Sequence, residues 1–202
     1  MERNRVAHMT ATTGWRPERS SRRGFTVLEL LIVVAIIGII ATLAFPKVNF
    51  TQFQVDAGAR LIRINLQNAQ RLAVARQYDV IVSFNLAKNS MRIVEDGNNN
   101  GAIDGGERVS WRSLEDNVHF AVPITGLNGA AGGSVIGSNL KTIDGMPSVI
   151  FRRDGAASSD VEIYLTSKRA KSNDYRAVQV VQATGRSDWF KYIGSKWKRG
   201  NL

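Results

Sequence analysis

Polar and apolar residues are segregated along this chain, and their spacing changes character several times. Residues 1–24 are polar and basic. Residues 25–45, FTVLELLIVVAIIGIIATLAF, are almost unbroken hydrocarbon with Glu29 as the only charge. As a helix this stretch would span roughly 30 Å, the thickness of a bilayer's hydrocarbon core. A secretory signal peptide fits less well, because its apolar region would be shorter and would end at a small-residue cleavage site. Arg19, Arg22 and Arg23 precede the apolar run, which leaves the leader in the cytoplasm and sends the rest across the membrane.

Beyond Pro46, which should kink a helix near the membrane surface, apolar residues recur at three- and four-residue intervals. Phe50, Phe53, Ala57, Leu61, Ile64, Asn68, Leu72 and Ala75 form one mostly apolar stripe, with Arg60, Arg63, Gln67, Gln70 and Arg71 largely on the other side. The pattern predicts an amphipathic helix over 46–76 that lays this stripe under its own domain. After Gln77 the runs become short and β-like: Val80–Leu86, Met91–Glu95, Arg108–Trp111, Val118–Val122, Val149–Arg152, Val161–Leu165 and Ala177–Gln182. The tail from Trp189 reads as a last strand. Thr125–Gly145 is glycine-rich and low in charge, and reads as a mobile loop. One helix followed by many short strands predicts an α+β fold in which an antiparallel sheet covers the helix. The expected organisation is a leader (1–24), a helix (25–76, with 25–45 transmembrane) and a β-rich head (77–202).

Composition narrows the chemistry. With 202 residues there is room for one modest domain and an anchor. The net charge of +10 invites an acidic partner, although part of the excess lies in the leader. Cysteine is absent, which excludes thiol catalysis and zinc–thiolate or iron–sulfur sites. His8 lies in the leader and His119 stands alone in a strand. No nucleophile–base set or phosphate-binding glycine loop accompanies them, so no catalytic residues are expected.

Two details distinguish the N-terminus from a generic anchor. Glu29 is costly inside lipid, by about 2.5–3.5 kcal/mol at mid-membrane, and so calls for a partner. Gly24-Phe25 also marks an abrupt switch from basic leader to hydrocarbon. The run Arg22-Arg23-Gly24-Phe25-Thr26-Val27-Leu28-Glu29-Leu30-Leu31 resembles the type IV prepilin motif without a gap. That resemblance implies cleavage by a prepilin peptidase between Gly24 and Phe25, methylation of Phe25, and a role for Glu29 in assembly. The ammonium freed at Phe25 would give a Glu29 carboxylate its opposite charge in lipid. The helix-then-strands order resembles the GspH/FimT family of minor pilins. It implies a pilin-like fold and a structural subunit that assembles with other pilins or pseudopilins, into a type IV pilus or a type II secretion pseudopilus. Its place would be the inner membrane, single-pass with the head in the periplasm, and then the fibre.

Two further segments carry candidate chemistry. Asp96-Gly-Asn98-Asn-Asn100-Gly101-Ala102-Ile103-Asp104-Gly-Gly-Glu107 matches the calcium-loop pattern D-x-[DN]-x-[DN]-G-x5-E. Calcium ligands would come from Asp96, Asn98, Asn100, the Ala102 carbonyl, Asp104 and Glu107. Strand-like flanks and ordinary Asn/Gly turn chemistry support a plain hairpin turn instead. In the tail, Lys191, Lys196, Trp197, Lys198 and Arg199 interleave cations with aromatics, a composition suited to DNA. Some FimT-like pilins that take up DNA carry a Gly-Arg-x-Arg motif near the C-terminus. Here Gly185-Arg186-Ser187-Asp188 keeps the first arginine and has a carboxylate in place of the second.

Overall fold

The computed structural model describes residues 24–44, 50–129 and 131–200. Contacts divide the chain into one unit ending at Val48 and another beginning at Asn49. The leader before Gly24, the basic cluster Arg19, Arg22 and Arg23, and the bend expected at Pro46 all lie outside the described residues.

In the first unit, helix α1 runs from Val27 to Ala44. Thr26 starts it: its Oγ1 accepts a hydrogen bond from the Glu29 amide at 3.1 Å and so satisfies one of the free N–H groups of the first turn. The helix has 18 residues, about 27 Å at 1.5 Å each. Among the described residues, no helix is long and apolar enough to cross a membrane. The observed helix is thus shorter than the expected span 25–45, whose last residue lies outside the described part.

The second unit wraps two antiparallel sheets around helix α2, Phe50–Arg76. The first sheet contains strands β1 (Asp79–Asn85), β2 (Ser90–Asp96), β3 (Arg108–Ser113), β6 (Lys141–Ile143) and β7 (Met146–Phe151), in the order β3-β2-β1-β7-β6. The second contains β4 (Val118–Phe120), β8 (Val161–Ser167), β9 (Arg176–Val180), β10 (Ser187–Ile193) and β11 (Lys196–Arg199), in the order β11-β10-β9-β8-β4. The short β5 (Val135–Gly137) pairs with β8 as well.

Alternation along the strands decides which side chains meet the helix. Val80, Val82 and Phe84 of β1, Val149 and Phe151 of β7, and Val161, Ile163 and Leu165 of β8 share one core with Val55, Ala59, Ile62 and Leu66 of α2. On the other face of β1, Ile81 joins Val94 and Ile150 in a small second cluster, covered by Ile103 and Ile143. Every residue of β8 is buried; on its outer face Tyr164 meets the Trp197 ring and the Leu127 amide, and Glu162 accepts from the Asn128 side chain.

Two expectations require correction. The stripe Phe50, Phe53, Leu61, Ile64, Asn68 and Ala75 is the exposed side of α2, with Ala57 and Leu72 at its margin. The packed side is instead Val55, Gly58, Ala59, Ile62, Asn65, Leu66, Ala69 and Ala73. Small residues win that face because they let the strands come close: a Cβ on Gly58 would lie 3.0 Å from Val118 Cγ1. The segment Thr125–Gly145 is not a free loop either. It contributes β5 and β6, and side chains pin its start. The Trp197 indole N–H donates to the Thr125 carbonyl at 2.9 Å, and the Leu127 amide donates to the Tyr164 hydroxyl at 2.9 Å.

Candidate functional site

Gly24, Phe25 and Thr26 precede the first turn of α1 as exposed, non-helical backbone. Among the described residues, nothing lies within 4 Å of where a Gly24 Cβ would be. The helix begins two residues after Phe25, and Glu29 lies in its first turn, where a carboxylate favours the positive end of the helix dipole. Thr26 and Glu29 form the S/T-x-x-E pattern of a capping box. This local signal was readable in the sequence and places the helix start just past Gly24-Phe25. From Val27 to Ile40 the large apolar side chains of α1 are all substantially exposed, the least so Val33 at 48%.

The acidic loop between β2 and β3 is closed by its own hydrogen bonds. The Asp96 carboxylate is fully buried and accepts from the Asn100 amide at 3.2 Å and the Gly101 amide at 2.7 Å. The Asn98 and Asn100 side-chain oxygens accept from the backbone N–H of Asn100 and Ala102, at 3.1 and 2.8 Å. Their NH₂ groups both donate to Asp104, at 2.8 and 2.6 Å, and these bonds, Asn98 first, hold the exposed Asp104 carboxyl below its ordinary range. Glu107 accepts from the Asp104 amide at 3.1 Å through one oxygen, and its other oxygen is buried without a partner. Gly101 makes the turn at φ +71°, and Ile103 anchors the loop on Ile81, Val94 and Ile150. The loop is closed by these hydrogen bonds, and among the described residues no group of three or more His, Cys, Asp or Glu could hold a metal ion.

The tail forms the β10–β11 hairpin, and its cations are unequally available. Asp188 pairs with Arg186 at 2.8 Å and also with Arg199. Burial would raise the Asp188 pKa, but the hydrogen bonds from Arg199 and Arg186 outweigh it and hold the carboxyl below its ordinary value. Trp197 is committed inward. Besides its bond to Thr125, its ring packs against Tyr192 and Tyr164, with centroids 5.1 and 5.8 Å away. Register sets Lys191 directly opposite Lys198, and Lys196 opposite Ile193. Lys196 and Lys198 are exposed and Lys191 half-buried, while Arg186 and Arg199, although exposed, are each paired with Asp188.

The chain matches the model for the prokaryotic N-terminal methylation motif over residues 19–45. It is 51% identical over 45 residues to the type IV major pilin protein PilA of Myxococcus xanthus, which is 22% of this chain and 20% of that protein. It is 32% identical over 88 residues to the pilin-like protein PilA1 of Thermus thermophilus, which is 43% of this chain and 56% of that one. The chain thus spans between a fifth and just over half of the length of these relatives. Two structures of the minor pseudopilin EpsH from the type II secretion system of Vibrio cholerae are similar at 10% and 8% identity. Their TM-scores are 0.47 and 0.44, covering 72% and 65% of this chain and 99% and 92% of theirs. In sequence the chain resembles type IV pilins, most clearly across the N-terminal motif.

Proposed function

We propose that this chain is a prepilin-type structural subunit that assembles into a type IV pilus or type II secretion pseudopilus. A prepilin peptidase removes the leader between Gly24 and Phe25, and Phe25 becomes the methylated first residue. The observation that carries the reading is α1 itself. It is apolar all round but for Glu29, its large apolar side chains from Val27 to Ile40 are exposed, and exposed, non-helical Gly24-Phe25 directly precedes it. A helix with no polar face is covered either by lipid or by other helices, and a subunit that waits in the inner membrane before joining a fibre uses both. The apolar stretch 25–45 supplies the single-pass anchor, with the head in the periplasm.

The test is to express the full chain with and without a prepilin peptidase and to measure the N-terminal mass. The mature chain should begin at methylated Phe25, and Gly24→Ala should leave the leader in place. A mature chain that keeps its leader, with Gly24→Ala changing nothing, would overturn the proposal.

DNA capture by the head is the alternative, and one observation favours it. Lys191 and Lys198 face each other across the hairpin, and like charges placed directly opposite are destabilising until an anion joins them. Lys191→Ala with Lys198→Ala should then abolish a salt-sensitive DNA affinity of the full chain in neutral detergent. Absence of binding at low salt removes this alternative.

A further inference from the structure

Two clefts lie side by side on α2 and share Arg60 and Ile64. One, of about 450 Å³, is lined by Arg60, Arg63, Ile64, Gln67, Arg71 and Trp189. The other, of about 300 Å³, is lined by Phe53, Asp56, Ala57, Arg60, Leu61 and Ile64. The first is cationic, and no carboxylate lines it. Its arginines are spread along roughly 16 Å of helix, from the rise per residue. Two of them are steadied in place: the Arg60 guanidinium lies over the Trp189 ring, 5.3 Å from its centroid, and Arg63 Nε donates to the Ser187 carbonyl at 3.1 Å. The second cleft is apolar apart from Arg60 and Asp56, and Asp56 is committed to the buried Arg176.

We infer that this double cleft docks an acidic, amphipathic helix from a different subunit of the fibre. The inference rests on the fibre-subunit reading and deepens it. Carboxylates of the partner would enter the arginine groove, while its apolar side would cover Phe53, Leu61 and Ile64, which are 72%, 36% and 52% exposed. A second copy of this chain is a poor occupant. Its α2 carries Arg60, Arg63, Arg71 and Arg76 against Asp56 alone, so pairing this face with itself sets cation against cation. Nucleic acid is also a poorer match, because phosphates would use the arginines and leave the adjoining apolar cleft bare. The subunit therefore joins the fibre beside unlike neighbours, as a minor component does.

The test uses the full chain in neutral detergent and three fluorescent probes. These are a short helical peptide with leucines on one face and glutamates three and four residues apart, the same peptide with glutamines for glutamates, and a short DNA duplex. The acidic peptide should bind best. Arg60→Gln, Arg63→Gln and Arg71→Gln together should weaken it about tenfold, as expected for three partly exposed pairs, with the head still folded and melting cooperatively. Ile64→Ser should weaken the acidic peptide and leave the duplex unaffected. The proposal is overturned if the glutamine peptide or the arginine variant binds as well. It is equally overturned if the duplex binds most tightly and depends on the arginines but not on Ile64. Because the chain has no cysteine, Gln67→Cys supplies a unique thiol, and ready disulfide dimers through it would show self-pairing and also overturn the proposal. Loss of peptide binding with normal Phe25 processing would remove the docking inference alone. Loss of processing would remove the fibre reading and leave a measured peptide affinity standing.

Discussion

Asp188 shows how far a residue's role can depart from its local sequence context. In the sequence it interrupts a Gly-Arg-x-Arg pattern, as a carboxylate that would repel phosphate. In the fold it holds two arginines, Arg186 from its own turn and Arg199 from the strand opposite. Its folded pKa is depressed below the ordinary value of 3.8. Its contribution to stability is therefore fully present above that value, and is lost as pH falls through the lower folded one. Acid titration of the full chain should loosen the β10–β11 hairpin below pH 3.8, followed by Trp fluorescence, since Trp189 and Trp197 lie on those two strands. Asp188→Asn should flatten that acid limb. An unchanged limb would mean that the two arginines do not stabilise the ionised form. The partnership between Asp188 and Arg199 could not be read from the sequence, because it depends on the register of a hairpin that the sequence suggested only as a last strand.

Elements were more legible than their orientation. The α2 helix, and most strands between Val80 and Gln182, fall close to the expected positions. The phase of α2 does not, and the reason is physical. Hydropathy selects large apolar side chains, whereas close packing between two sheets selects side chains that fit, and on α2 those include Gly58, Ala59, Ala69 and Ala73. Leu66→Ala on the packed face should destabilise the head by about 2–5 kcal/mol, while Phe53→Ser on the exposed face should leave its melting temperature within about a degree or two. Thermal melting of both variants checks this, and a large loss for Phe53→Ser would contradict the assigned faces.

The acidic loop is a second element whose meaning depends on side-chain direction. Its spacing satisfies the calcium pattern residue by residue. However, Asn98 and Asn100 turn their oxygens to the backbone and their NH₂ groups to Asp104, and this closes the turn without an ion. Millimolar calcium should then leave the melting temperature of the chain where chelator leaves it. A clear rise would show that the loop opens to take calcium and that the ligand reading is correct.

For the whole molecule, the proposed assembly role separates from folding. The core of the second unit is built from α2 and its two sheets. On the proposed function, Glu29→Ala should leave the melting of the head and the cleavage at Gly24–Phe25 unchanged while reducing incorporation into the fibre. Immunolabelling of sheared fibres alongside a mass measurement reads both, and normal incorporation would show that the Glu29 charge has no part in assembly.

By itself the sequence determined the apolar helix, where that helix starts, and the change to strands after Gln77. Each of these is written in contiguous residues, through hydrocarbon length, capping chemistry or periodicity. Only the tertiary structure decided which face of α2 is buried, that Thr125–Gly145 is pinned to Tyr164 and Trp197, and that Asp188 ties the tail arginines. It also placed an arginine groove beside an apolar cleft. Those outcomes depend on pairs such as Arg63 and Ser187, 124 residues apart. Contacts of that kind are set by how closely helix and strands approach, which no local window of the sequence contains.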